Sequence, residues 1–165
     1  MITESLTSPV HKVISRHEIA EVWLNTSTNQ QSFHSLKVFN PGDEIAEFGA
    51  GALHAQPSYL TVQVGINRHI ILKPEFLQYI NHSCSPNVFF DTSTFKLVCL
   101  KPIQVGEEMR FFYPSTEWDM AQPFVCNCGS SECLQLINGA SHLSLETLSK
   151  YRFSNFISEQ LKQKV

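Results

Sequence analysis

The apolar positions of this chain recur mostly with a period of two, in short runs. Residues 59–64 alternate cleanly, with Leu60, Val62 and Val64 on one face, which predicts a half-buried strand. Gly65-Ile66-Asn67-Arg68 reads as a turn, and residues 69–72 as the returning arm of a hairpin. Residues 18–24 predict another strand, 25–32 a polar loop, and 74–79 a single helical turn. Residues 88–90 and 95–100 predict a second hairpin across Asp91-Thr92-Ser93-Thr94. Two segments, 38–45 and 103–109, share a plan: an apolar approach, a glycine turn, acidic residues, then a new strand. They are too short to count as a repeat. The period changes only near the C-terminus. There Ser144 can cap a helix, and Leu145, Leu148, Phe153, Phe156, Ile157 and Leu161 recur at near-helical spacing. That face is expected to pack on the core rather than on a partner. Many short strands joined by turns make a mostly β protein with short helices.

Length and charge narrow the function. A chain of 165 residues is one domain by length, and 42% apolar residues suffice for a core. Net charge is −3 with no basic tract, so no electrostatic footprint for nucleic acid is present. The longest apolar runs fall well short of a membrane span. Met1-Ile2-Thr3-Glu4-Ser5 lacks the basic and apolar regions of a signal peptide. Residues 1–18 are mixed and read as an arm or an extra edge strand.

Three segments carry candidate chemistry. Tyr79-Ile80-Asn81-His82-Ser83-Cys84-Ser85-Pro86-Asn87 is a dense polar run directly after Phe76-Leu77. Burying it is costly unless its side chains find partners; as bare sequence it is also good turn material. Cys126-Asn127-Cys128-Gly129-Ser130-Ser131-Glu132-Cys133 packs three thiols into eight residues. Cysteines so close are awkward to pair as disulfides but can share one ion, and Zn²⁺ takes four tetrahedral ligands, thiolates foremost. The fourth ligand must be Cys84, Cys99 or a histidine. Cys99 lies in an alternating strand and is expected to be a small core residue, so Cys84 is the better candidate. The third segment, Gly106-Glu107-Glu108-Met109-Arg110-Phe111-Phe112-Tyr113-Pro114, turns at glycine and runs into aromatics with β-propensity that stop at proline. The histidines other than His82 show no metal-site spacing and read as surface or satisfied core.

In this order the three segments resemble a SET domain followed by a post-SET zinc cluster, over roughly residues 19–140. The resemblance implies a β-clip-like, pseudoknotted fold and an S-adenosylmethionine-dependent protein-lysine methyltransferase. It implies that Asn81 and His82 bind the cofactor and that Tyr113 is catalytic. Phe111, two residues earlier, would influence how many methyl groups are added. It also implies a structural zinc ion on Cys84, Cys126, Cys128 and Cys133. Tyr59 is expected in the cofactor pocket, and Ser32 and Phe33 at the cofactor-side turn. There the family's Gly-x-Gly is replaced by Gln30-Gln31-Ser32-Phe33, and a Cβ keeps a ligand further from the backbone. Two further departures are Phe112 for the usual aspartate before the tyrosine and Gln78 for an arginine before the asparagine.

The organisation that follows is an arm (1–18), a SET core (19–114), a post-SET zinc segment (115–140) and a helical tail (141–165). The expected partner is a lysine-bearing protein or peptide. A small-molecule amine, or a non-catalytic zinc-stabilised interaction module, are the alternatives. Phe111, Phe112 and Tyr113 are expected to line an apolar amine channel, with Trp118 and Phe124 as lid material. Reduced thiols imply an intracellular location. Oligomeric state is not legible.

Overall fold

The computed structural model describes residues 10–164. Strands β1 (His11–Arg16), β2 (Ala20–Asn25) and β3 (Gln31–Ser35) form an antiparallel meander. Then come β4 (Glu44–Glu47), β5 (Gly49–His54), β6 (Thr61–Gly65) and β7 (Arg68–Lys73), the last three forming a sheet in the order β5-β7-β6. A 3₁₀ turn at Glu75–Tyr79 leads into β8 (Asn81–His82). β9 (Val88–Asp91) and β10 (Lys96–Cys99) pair as a hairpin whose β10 edge takes β4. β11 (Arg110–Phe111) then lies parallel to β8. Beyond a 3₁₀ turn at Tyr113–Ser115 come the antiparallel pair β12 (Phe124–Val125) and β13 (Leu136–Ile137), and helices α1 (Leu145–Leu148) and α2 (Asn155–Lys164).

The two predicted hairpins form at the expected places, β6–β7 and β9–β10. Part of the 1–18 stretch is an edge strand, β1, on β2; residues 1–9 lie outside the described residues. The segments with a shared plan turn out to face each other. Phe39 and Ile103 exchange backbone hydrogen bonds of 3.0 and 2.9 Å. Each is followed by a glycine at positive φ, Gly42 at +93° and Gly106 at +90°, where an L side chain would be strained. The core runs between the sheets through Val22, Phe33, Phe48, Ile70, Phe90, Leu97, Ile103 and Met109. No helix among the described residues is long and apolar enough to cross a membrane.

Two expectations need correction. The polar loop predicted over 25–32 is shorter. Asn25 Oδ1 accepts from Ser27 N and Thr28 N and closes the turn early, so Gln31 and Ser32 pair with Leu24 and Trp23 in the β2–β3 ladder. The tail is not one helical face. Ser144 does cap α1, its Oγ accepting from Thr147 N at 3.2 Å, but the chain then leaves the helix. Tyr151 stacks on Phe112 at 3.7 Å, and its hydroxyl donates to Cys84 O at 2.7 Å. Those contacts outweigh the modest gain of a longer solvent-exposed helix. Phe112 is 2% exposed, so Phe112→Ala is expected to cost about 3–5 kcal/mol in denaturant unfolding and to raise hydrogen exchange over residues 145–160.

Candidate active site and cysteine cluster

The polar loop after β8 finds its partners in the strand it runs beside. Asn87 Nδ2 donates to Glu108 O at 2.9 Å, and its Oδ1 accepts from Arg110 N at 2.8 Å. Ser83 N donates to Phe111 O at 3.0 Å. The loop therefore grips residues 108–111 at both ends, and the desolvated side chains are satisfied. Asn81 Nδ2 donates to Gln31 O at 2.8 Å and to Glu108 Oε1 at 3.3 Å. His82 Nδ1 accepts from Tyr113 N at 3.1 Å, and Nε2 lies 3.4 Å from Cys84 Sγ. Burial, with the Arg110 charge added, pushes His82 down to about 4, so the ring is neutral and locks the backbone of Tyr113 in place.

Two cavities of opposite character meet at Tyr113 and Phe124. One, of about 400 Å³, is polar; Ser32, His34, Asn81, His82, Glu108 and Arg110 are on its wall. The Glu108–Arg110 ion pair lies within this wall. The other, of about 320 Å³, is lined mostly by apolar residues, among them Leu72, Leu77, Ile80 and Phe111. Both volumes lie in the range of roughly 300–1,000 Å³ usual for ligand pockets. Tyr113 is pushed up to about 12 by burial, then by the negative charges of Glu117 and Glu108. Its hydroxyl thus stays protonated at neutral pH, suited to orienting a ligand rather than to acting as a base.

The expected site residues divide between these places. Ser32, Asn81, His82 and Tyr113 reach the polar cavity, together with Gln30 from the same departed turn. Phe33 is 0% exposed and packs in the core against Phe76; in the alternating strand β3 it points opposite to Ser32. Tyr59 lines the apolar cavity instead of the polar one, because it precedes β6 on the far side of Tyr113. Phe111 lines the apolar cavity, its ring 4.7 Å from that of Tyr113. Phe112 turns away from both cavities toward the tail, so the residue that departs from the family's aspartate serves packing. Phe124 is at the junction, edge-on to His82 and Tyr113 at 5.6 and 5.8 Å. Trp118 lines neither cavity. His34 and His11, read as surface or core, are on the polar wall; His34 stacks on Trp23 at 3.7 Å and bonds Ser32 Oγ at 2.8 Å.

The four cysteines singled out by spacing come together. The Sγ atoms of Cys84, Cys126, Cys128 and Cys133 all lie within 4.8 Å of one another. A tetrahedral Zn–S distance of about 2.3 Å needs sulfurs about 3.8 Å apart, so the quartet fits such an ion with little adjustment. Burial pushes the Cys84 thiol up, and Cys126 up to about 11. Burial also opposes ionisation of Cys128, but backbone hydrogen bonds from Cys84 and Ser130 outweigh it and bring that thiol down to about 6. Cys99 stands apart, buried, its thiol donating to Lys101 O at 2.9 Å. Cys126 and Cys128 also border the polar cavity, so the cluster holds one wall of it.

One group escaped the sequence reading. Glu117 sits on the wall of the apolar cavity, its Oε2 accepting from Gln63 N at 3.1 Å. No motif or spacing marks it; its only signal is an acidic residue soon after the aromatic run.

Fold, paired cavities and polar loop define a class. The SET domain family matches residues 10–114, and the chain belongs to that family. It is also 37% identical over 158 residues to the methyltransferase flvH of Aspergillus flavus, an alignment covering 94% of this chain and 88% of that one. The chain is accordingly an S-adenosylmethionine-dependent methyltransferase by family.

Proposed function

We propose that this enzyme methylates a lysine side-chain amine of a protein, with S-adenosylmethionine in the polar cavity and the amine in the apolar one. The observation that carries the reading is the meeting of the two cavities at Tyr113. The residues of the polar cavity fit the cofactor's chemistry. Arg110 suits its carboxylate, Glu108 its ammonium, and Asn81 and Ser32 its hydrogen-bonding edges. Bound there, the cofactor supplies an electrophilic methyl group on a sulfonium.

The chain's own residues do the rest. The apolar wall disfavours the ammonium form of an amine whose free pKa is about 10.4. Phe111 and Tyr113 hold the nitrogen on the axis between the cavities, and alignment of this kind is the main catalytic contribution asked of the protein. The Tyr113 hydroxyl, protonated, orients the nitrogen or the transferring methyl. Phe111 leaves room for more than one methyl group. The cysteine quartet would hold a structural zinc, four thiolates leaving no open position for water, and would brace the Phe124–Cys128 wall. Thiolates of this kind suit a reducing, intracellular compartment.

Incubation with radiolabelled S-adenosylmethionine tests the reading. Label is expected in lysine of protein acceptors. Label appearing solely in free aliphatic amines would move the substrate to small molecules, and none in any acceptor would sink the reading. Asn81→Ala is expected to weaken cofactor binding in calorimetry by ten- to a hundredfold, about 1.5–3 kcal/mol for losing a buried hydrogen-bonding group.

A further inference from the structure

Methyl transfer as described makes no use of Glu117, although the fold places it deliberately. Glu117 N donates to Tyr113 O at 3.1 Å, which ties it to the turn carrying Tyr113. Its Oε2 accepts from Gln63 N, and the Gln63 side-chain Oε1 accepts from Trp118 N, both at 3.1 Å. Strand β6 thus holds the carboxyl by one bond, and the backbone next to it by a second, on a wall it shares with Leu72, Leu77, Ile80 and Phe111. Among the described residues no lysine, arginine or histidine comes within ion-pair distance of it. Burial pushes its carboxyl up to about 7, against the opposing hydrogen bonds from Gln63 and Thr116.

A carboxylate facing an apolar cavity without a cation is expensive. Stability alone would favour an apolar residue or a glutamine here. The cost makes sense if the counter-charge arrives with the ligand, because attraction between charges is strong where water is displaced. The cavity's other polar side chains, Ser58, Tyr59, Thr61, Gln78, Tyr113 and Gln122, include no lysine, arginine, histidine or second carboxyl group.

We propose that Glu117 anchors the substrate's ammonium group and accepts its proton, so that the cavity selects a flexible aliphatic amine entering as a cation. This deepens the methyl-transfer reading and rests on it for the reacting step. In that step an N–H bond of the ammonium breaks and its proton passes to a Glu117 carboxylate oxygen. The freed lone pair forms the N–C bond as the C–S bond breaks, and that electron pair stays on sulfur as a neutral thioether. The methylated nitrogen leaves as a cation, and Glu117 returns its proton to water. The same group thereby answers two needs, since proton transfer by a positioned carboxyl works best with a pKa near the working pH.

The probes are n-butylammonium and its uncharged counterpart n-butanol, titrated into the metal-loaded full chain by calorimetry. In the wild type n-butylammonium is expected to bind at least tenfold more tightly than n-butanol. Glu117→Gln, which keeps the acceptor for Gln63 N, should weaken n-butylammonium at least tenfold and leave n-butanol unchanged; Glu117→Asp should restore part of the loss. Lowering the pH through 7 protonates the carboxyl, so wild-type affinity for n-butylammonium should fall there and that of the glutamine variant should stay flat. The other titratable groups on this wall are Tyr59 and Tyr113, and Tyr113 stays protonated throughout that range. Equal affinity for the two probes in the wild type, no binding of n-butylammonium, or equal n-butylammonium binding in wild type and Glu117→Gln would overturn the assignment. Methyl transfer is read separately. Transfer that Glu117→Gln leaves unaltered counts against Glu117 alone, whereas amine binding as expected without any transfer counts against the methyl-transfer reading alone.

Discussion

Tyr113→Phe is expected to lower the rate of methyl transfer about 100-fold or more while cofactor affinity and metal content stay as in the wild type. The tyrosine is held by its backbone: its N–H reaches His82 Nδ1, and its carbonyl accepts from Thr116 N and Glu117 N, each at 3.1 Å. Phenylalanine keeps all of that and the ring contacts with Phe111 and Phe124. What disappears is one protonated hydroxyl at the junction of the two cavities. A single oriented hydrogen-bonding group at a reacting centre contributes about 10²–10³ in rate, and a nitrogen misplaced by about 1 Å costs some 100-fold. Single-turnover measurement with saturating cofactor reads the chemical step directly. A rate within threefold of wild type would remove Tyr113 from its role.

Cys84→Ser should have the largest effect on the folded state. Cys84 lies in the loop after β8, whereas its three partners lie more than forty residues later, so an ion on the quartet closes a long loop. Structural zinc in small thiolate sites is worth about 10–16 kcal/mol in apparent binding free energy. A serine hydroxyl is a poor substitute, and losing one ligand should remove several kcal/mol. At about 2–4 °C per kcal/mol for a chain of this size, the melting temperature should fall by on the order of 10 °C. Metal analysis should drop from about one zinc per chain to well below that. Cofactor affinity should fall too, because Phe124, Val125, Cys126 and Cys128 form one wall of the polar cavity. Removing the metal from the wild type with a chelator is expected to reproduce both effects. Unchanged metal content and melting temperature in the variant would exclude Cys84 as a ligand.

Part of the candidate site is legible in the sequence. Asn81, His82 and Tyr113 stand out in the sequence and line one cavity, and Cys84 stands out and joins the thiol quartet, because their chemistry is concentrated in short segments: polar residues that demand partners, thiols at metal spacing, an aromatic run ended by proline. Tyr59, expected in the cofactor pocket, lines the apolar cavity and not the polar one. Its side of Tyr113 depends on how the β5-β7-β6 sheet sits against the 3₁₀ turn after β11, which no local pattern encodes. Phe33 was expected at the cofactor turn, yet strand alternation turns it into the core while its neighbour Ser32 faces the cavity. The role of Phe112 needed Tyr151, almost forty residues away, to be seen stacked on it.

By itself the sequence determined the β-rich hairpin plan, the quartet of thiols and the family, since period-two burial, turn chemistry and ligand spacing act over a few residues at a time. The tertiary structure alone decided which wall each aromatic faces, that the apolar approaches to the two look-alike glycine turns pair at Phe39 and Ile103, and that Glu117 loses much of its water beside the Tyr113 junction. Desolvation and electrostatics depend on everything that packs around a group, and for these residues the packing comes from strands far apart in the chain.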